Sequence, residues 1–110
     1  MPDSLFKIKS TTVRLDVSTT SDRVLLSKLF SDGSDLTLRI FNAGTYPAFI
    51  ELGGNTVVAT VGTNKGAGSF PVAPGRETGI SVQGSAKTYL AAICDTGGTA
   101  KLFITVGEGI

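Results

Sequence analysis

The chain has 110 residues, enough for one domain with its own hydrophobic core. Charged residues make up only 17% of it, below the roughly 25% of an ordinary soluble domain, and ten basic residues stand against nine acidic ones. A net charge of +1 supplies no long-range field to attract nucleic acid or an anionic membrane, so we expect neither as a partner.

The apolar runs and the single cysteine indicate a cellular compartment. The longest runs, such as YLAAIC, are too short to span a bilayer, and MPDSLFKIKS lacks the apolar stretch of a secretory signal. Cys94 has no second cysteine with which to form an intramolecular disulfide. We therefore expect the protein to be made and assembled in a reducing cytoplasm.

Alternating apolar and polar residues predict strands along most of the chain. The segment 12–17 (TVRLDV) and the segment 35–41 (DLTLRIF) alternate cleanly. The segment 23–30 (RVLLSKLF) favours a strand but leaves a short helix open, because Val24, Leu25, Lys28 and Leu29 could form a helical stripe. Further strands are predicted at 47–52, 55–61, 69–72, 77–82, 87–94 and 100–106.

Glycine and proline mark the turns between these segments. Gly44 and the pair Gly97-Gly98 could supply positive φ angles for hairpin turns, and Pro71 suits an edge strand or a loop that crosses between sheets. Short strands at regular spacing predict an all-β domain over residues 1–110, an antiparallel β-sandwich or jelly roll. Residues 1–10 could form an extended N-terminal arm.

Residues that carry chemistry are scarce. The chain has no histidine, and Cys94 is predicted to be a buried small apolar residue. The segment SDGSD (31–35) lacks the closing ligands of a calcium loop. GTNKGAGS (62–69) lacks the closing Gly-Lys-Ser/Thr of a phosphate-binding loop, and no helix is predicted after it. The carboxylates that a glycosidase would need fall on outward positions or in turns, at Asp16, Glu51, Glu77 and Asp95. We expect no enzymatic activity, no metal and no cofactor.

A surplus of apolar residues on outward positions suggests a second covering layer. Phe41 points away from Leu38 and Ile40 if the alternation holds, and the run 90–94 is apolar on both faces. A neighbouring copy of the chain could cover such a face. The alternative is a loop, such as GTNKGAGSFPVAPG (62–75), that folds back over the sheet.

Three segments resemble small virion structural proteins of tailed bacteriophages. They are LRIFNAGTYPAFIELGGNTVVAT (38–60), FPVAPGRETGISV (70–82) and YLAAICDTGGTAKLFITVGEG (89–109). The matching residues are Asn42, Gly44, Pro47, Phe49 and Gly53 in the first, Pro71, Val72, Pro74 and Gly75 in the second, and Thr99, Leu102, Thr105, Gly107, Glu108 and Gly109 in the third.

The resemblance implies a non-enzymatic protein on the outer surface of a phage particle, most often a capsid decoration (cement) protein. Such proteins form symmetric oligomers, often homotrimers, and bind the major capsid protein of the assembled head. Two alternatives remain open at this point: a neck, tail or fibre-associated virion protein, or a receptor- or carbohydrate-binding β-sandwich module.

Two stretches are candidate protein interfaces. The segment 42–53 is predicted to form a hairpin whose outer side, with Phe41 and Tyr46, faces a sibling subunit or the shell. Leu5, Phe6 and Ile8 near the N-terminus could add a strand to the open sheet edge of a partner. The alternative for this segment is a first strand within its own sheet.

Overall fold

Every regular element of the described chain is a β-strand. The computed structural model describes residues 7–8, 12–26, 36–82 and 89–108. In these parts of the chain the strands are β1 (Lys7–Ile8), β2 (Val13–Val17), β3 (Asp22–Leu25), β4 (Leu36–Asn42), β5 (Ala48–Gly53), β6 (Phe70–Val72), β7 (Glu77–Val82), β8 (Tyr89–Cys94) and β9 (Ala100–Glu108).

The strands form two antiparallel sheets. In sheet A the order is β1–β9–β4–β7, and β2 also pairs with β9; in sheet B the order is β3–β8–β5–β6. From β2 onward, every connection except the one from β5 to β6 passes from one sheet to the other. This is the strand order of a jelly roll. The predicted all-β, antiparallel sandwich is therefore confirmed.

The core lies between the sheets and is built by the inward half of each alternating strand. Sheet A contributes Leu38, Ile40, Leu102 and Ile104, none of which has any exposed surface. The facing side chains of sheet B include Ile50, Leu90, Ala92 and Cys94. Each large apolar side chain that is buried in this way stabilises the fold by about 1.5–3 kcal/mol.

The strand predicted over 55–61 is wrong, whereas the strand predicted over 47–52 is present as β5. Residues 54–69 contain no strand and form a long loop between β5 and β6. The hairpin predicted over 42–53 is also wrong, because β4 lies in sheet A and β5 in sheet B. Residues 43–47 are the corner between the sheets.

The predictions for the segment 23–30, the SDGSD segment and Pro71 can be compared with the described strands. The segment 23–30 begins as a strand, because β3 ends at Leu25, and its residues 27–30 lie outside the described residues. The SDGSD segment lies outside them as well. Pro71 falls on β6 at the edge of sheet B, as predicted, since a residue without an amide hydrogen is tolerated there.

Glycines at the corners act in two different ways. Gly97 has the predicted positive φ, 77°, but Gly98 does not, and the connection from β8 to β9 crosses between the sheets and is not the predicted hairpin. Gly44 does not have a positive φ; a Cβ on it would lie 2.7 Å from the Cα of Ala100. The requirement at Gly44 is therefore close approach of two backbones, and the positive φ predicted for it is wrong.

Asn42 at the end of β4 is a polar side chain with no exposed surface. Its Nδ2 donates to the carbonyl oxygens of Tyr46 (2.9 Å) and Val72 (3.0 Å), and its Oδ1 accepts from the amide of Gly44 (2.9 Å). Its backbone amide donates to the carbonyl of Arg76, and its carbonyl accepts from the amide of Gly75. One residue thus joins the β4–β5 corner to the β6–β7 corner.

Replacing Asn42 should destabilise the whole domain. We expect Asn42→Ala to lower the free energy of unfolding by about 2–4 kcal/mol, because two carbonyls and one amide lose their partner. Urea denaturation followed by circular dichroism measures this. Asn64→Ala, at an exposed position in the 54–69 loop, is the control and should change stability by less than about 0.5 kcal/mol. Equal stability of the two variants would contradict the role given to Asn42.

Candidate interface on the outer face of sheet A

One row of side chains crosses the outer face of sheet A. The strand register places Phe41 on β4 opposite Phe103 on β9 and opposite Glu77 on β7. Phe103 in turn lies opposite Arg14 on β2. Because outward positions in neighbouring strands line up across a sheet, the row reads Arg14–Phe103–Phe41–Glu77. We call these four residues the aromatic row.

The centre of the aromatic row is apolar and open to solvent. Phe41 is 41% exposed, and Phe103 beside it is half-buried. The prediction that Phe41 points away from the core is confirmed. An adjacent pair of phenylalanines on an outer sheet face costs solvation free energy unless something covers it.

Ion pairs frame this apolar centre on both sides. Nε of Arg14 lies 2.8 Å from Oδ1 of Asp16, and Nε of Arg39 lies 3.0 Å from Oε2 of Glu77. The hydrogen bonds between Arg14 and Asp16 lower the pKa of the Asp16 carboxyl and raise the pKa of the Arg14 guanidinium. These ion pairs keep the ends of the row polar.

The second row of the same face contains small and polar residues. Arg39 pairs across the sheet with Thr105 on β9 and with Gly79 on β7. The hydroxyl oxygens of Thr12 and Thr105 lie 2.7 Å apart, within hydrogen-bond distance. A Cβ on Gly79 would lie 3.9 Å from Cδ and from Nη1 of Arg39, so the Arg39 side chain lies over Gly79 as it reaches Glu77.

Tyr46 does not belong to the aromatic row. It is 45% exposed and lies in the corner between β4 and β5, where its ring packs against Gly98. A Cβ on Gly98 would come within 3.1 Å of that ring. The two residues that the sequence placed on one side of a hairpin are thus separated, Phe41 on a sheet face and Tyr46 at the end of the sandwich.

The N-terminal candidates are described only in part. Leu5 and Phe6 lie outside the described residues. The backbone of Lys7 and Ile8 pairs with Glu108 and Gly107 of the same chain. For these two residues, the alternative of a first strand within the protein's own sheet is supported.

The outer face of sheet B is covered by the 54–69 loop. Ala91 points outward between Leu90 and Ala92, yet it has no exposed surface. The amide of Ala59 donates to Oγ of Ser21 beside β3, and Oγ of Ser69 donates to Oε1 of Glu51 on β5. The loop therefore crosses β8. A loop of the same chain covers this sheet, as the alternative supposed, but most of the segment 62–75 named for it does not, because residues 63–68 are exposed and Phe70–Val72 form β6.

The carboxylates considered for hydrolysis are dispersed. Asp16 and Glu77 lie on β2 and β7, with β9 and β4 between them. Glu51 is bonded to Ser69 on the outer side of sheet B, and Asp95 accepts from the amide of Thr96 in a turn. In the described parts of the chain, no three His, Cys, Asp or Glu side chains lie close enough to hold a metal.

Two concave regions lie on the surface of the described residues. A groove of about 570 Å³ at one end of the sandwich is lined by Arg14, Asp16, Thr45, Thr99 and Lys101 among others. A smaller apolar cleft of about 370 Å³ lies beside β6 and is lined by Ile50, Leu52, Phe70 and Ile80, with Glu51 and Gly68. Within the described residues, no helix is long and apolar enough to cross a membrane.

Comparisons with known proteins support the fold. No protein-family model matches the chain, and a search of curated proteins finds no match. Among solved structures, the chain is similar to one described as "Bacillus endospore appendages form a novel family of disulfide-linked pili". The TM-score is 0.50 at 15% identity, over 98% of this chain and 93% of that chain. At this identity the likeness shows the fold alone.

Removing the Ser69 hydroxyl should release the covering loop. Oγ of Ser69 donates to Glu51 and accepts from the amide of Thr60, both at 2.9 Å. We expect Ser69→Ala to cost about 1–2 kcal/mol and to speed tryptic cleavage after Lys65, an exposed residue of this loop. Thr19→Ala, which removes a hydroxyl at an exposed position outside the loop, is the control. Unchanged cleavage in Ser69→Ala would show that these bonds do not hold the loop.

Cys94 should resist thiol reagents in the folded protein. It is 1% exposed in the core, as predicted, and burial raises the pKa of its thiol. We expect an aromatic disulfide reagent at pH 8 to label Cys94 at least a hundredfold more slowly in buffer than in 6 M guanidinium chloride. Rapid labelling of the native protein would contradict the buried position.

Proposed function

We propose that the protein is a non-enzymatic structural protein of a phage virion, a decoration protein that binds the assembled head as a symmetric oligomer. The observation that carries the proposal is the exposed Phe41–Phe103 pair, framed by ion pairs, on the outer face of sheet A. The three motif segments shared with small virion proteins support it. The oligomer implied by that resemblance is a trimer.

The chemistry of such a face suits attachment. Aromatic side chains in a charged frame are typical of the centre and the rim of a protein–protein interface. A protein that binds only the assembled head stabilises it by mass action, because disassembly must also release the bound copies. Contacts by one oligomer with several neighbouring capsid subunits would add avidity.

The contacts between copies would be non-covalent. The structural neighbour is described as a disulfide-linked pilus. This chain has one cysteine, and Cys94 is buried between the sheets. A disulfide between folded copies would need Cys94 to leave the core, so the proposed assembly depends on packing and on charge pairs.

Binding to heads tests this function. Heads assembled from the major capsid protein of the same genome are mixed with the purified protein and sedimented. We expect saturable binding at a fixed ratio of copies to capsid subunits, and Phe41→Ser should weaken it about thirtyfold or more. Phe70→Ser is the matched control, since Phe70 is 52% exposed but lies on β6 of sheet B. Failure of the unmodified protein to bind heads would refute the decoration role.

A second candidate is a carbohydrate-binding module. It is favoured by the groove at the end of the sandwich, where Thr45, Thr99 and Lys101 could form hydrogen bonds with sugar hydroxyls. No aromatic side chain is among the groove's lining residues, so a stacking platform for a sugar ring is missing there. A glycan array with no bound sugar would remove this candidate.

A further inference from the structure

We propose that the outer face of sheet A binds a second copy of the same face, around a two-fold axis that runs parallel to the strands between Phe41 and Phe103. The inference rests on the proposed self-association and names its surface. It replaces the trimer implied by the resemblance with a dimer.

The aromatic row is complementary to its own reverse. Its order is positive, aromatic, aromatic, negative, from Arg14 through Phe103 and Phe41 to Glu77. When two copies meet face to face around an axis parallel to the strands, the row of one copy runs opposite to the row of the other. Phe41 then stacks on Phe103 of the partner subunit, and Arg14 meets Glu77 of the partner subunit. Both contacts occur twice, as an isologous interface requires.

The other face-to-face two-fold arrangement is disfavoured by charge. An axis perpendicular to the strands that lies along the aromatic row would place Arg14 against Arg14 of the partner subunit, and Glu77 against Glu77 of the partner subunit. A perpendicular axis between the two rows would set Phe41 against Arg39 of the partner subunit and leave the phenylalanines unstacked. Like charges placed opposite each other destabilise an interface, and they select against the wrong orientation. The charge order of the row thus chooses one axis.

The second row of side chains is compatible with the same two-fold axis. It runs Thr12–Thr105–Arg39–Gly79 across the sheet. The proposed axis sets Arg39 against Thr105 of the partner subunit, and Thr12 against Gly79 of the partner subunit. A threonine hydroxyl can accept a hydrogen bond from a guanidinium, and the Arg39 side chain lies over Gly79, within reach of either facing threonine. This row therefore adds no like-charged pair.

The intramolecular ion pairs need not break. The Arg14 side chain is 53% exposed and that of Glu77 is 49% exposed, so each can accept a further partner. Arg14 would then lie between Asp16 and Glu77 of the partner subunit. Solvent-exposed pairs contribute little when isolated but more within a network, and exclusion of water by the stacked phenylalanines strengthens them.

The size of the face sets the expected affinity. Four strands spaced about 4.8 Å apart, with about six residues each at a rise of about 3.3 Å, give a patch of roughly 19 by 20 Å. Such a patch, about 380 Å² on each copy, is about half the area per partner of a standard interface and is typical of a weak, transient contact. We expect dimers with a dissociation constant in the micromolar range.

Sedimentation equilibrium over about 1–200 µM tests the self-association. We expect a monomer–dimer equilibrium that Phe41→Ser weakens about thirtyfold or more, whereas Phe70→Ser leaves it unchanged. A monomer at every concentration would overturn the inference, as would a trimer. Equal effects of the two serine variants would overturn it as well.

Charge reversal tests the orientation. We expect Arg14→Glu and Glu77→Arg each to weaken dimerisation about tenfold, because each removes two symmetric charge pairs, and the double variant to restore most of the affinity. Circular dichroism checks that the variants fold. If one does not, Arg14→Gln and Glu77→Gln replace the pair, and each should weaken dimerisation without placing like charges beside Asp16 or Arg39. A double reversal that binds no better than the single ones, or neutral variants that bind as tightly as the unmodified protein, would overturn the two-fold arrangement.

The dimer and the decoration role fail in different ways. If the protein dimerises as described but does not bind heads, the inference stands and the proposed function falls. If Phe41→Ser abolishes head binding while the unmodified protein is monomeric at 200 µM, the decoration role stands without the symmetric oligomer, and the face contacts the capsid protein instead of a second copy.

Discussion

The buried amide of Asn42 is the interaction on which the arrangement of both sheets depends. A jelly roll must turn its chain from one sheet to the other repeatedly, and each corner exposes backbone groups that have left the strand ladder. Asn42 satisfies groups from two such corners, because its side chain reaches Gly44, Tyr46 and Val72 while its backbone pairs with Gly75 and Arg76. In a low-dielectric interior an unmade bond at any of these positions costs more than a made one gains. Loss of the Asn42 side chain therefore destabilises both corners at once.

The motif residues acquire a structural explanation from this arrangement. Asn42 and Gly44 come from the first segment that resembles virion proteins, and Gly75 comes from the second; all three meet at the same place. Gly75 has a φ of 72° directly after Pro74, which is the geometry of a type II turn. Gly44 allows the chain to pass close to Ala100. These residues build the corners of the fold and do not line the exposed face, so the resemblance informs on architecture more directly than on partners.

The sequence predicts the features that depend on neighbouring residues and misses those that depend on contacts between residues far apart in the chain. Alternation predicted the strands because burial of one sheet face repeats every two residues, as in the segments 12–17 and 100–106. NAGT has the composition of a hairpin turn, and only the distant contacts with Val72 and Ala100 show that the chain crosses to the other sheet there. The segment 55–61 buries Ala59 in a loop over sheet B while Val58 is 58% exposed, and a short sequence does not distinguish such a loop from a strand. The candidate surface followed the same rule. Phe41 was found from alternation alone, whereas Phe103, Arg14 and Glu77 became its neighbours only through strand order.

The 54–69 loop gives the molecule two unlike sides. Sheet B is covered by its own chain, with residues 63–68 at the exposed tip of the loop, while sheet A leaves Phe41 open to solvent. If sheet A is the attached side, that tip faces away from the attachment surface. A foreign peptide inserted near Lys65 would then project outward without passing through the core or the corners, because exposed loop tips tolerate insertions best. Because sheet A is open and sheet B is covered, each copy would carry the inserted peptide on the side opposite sheet A.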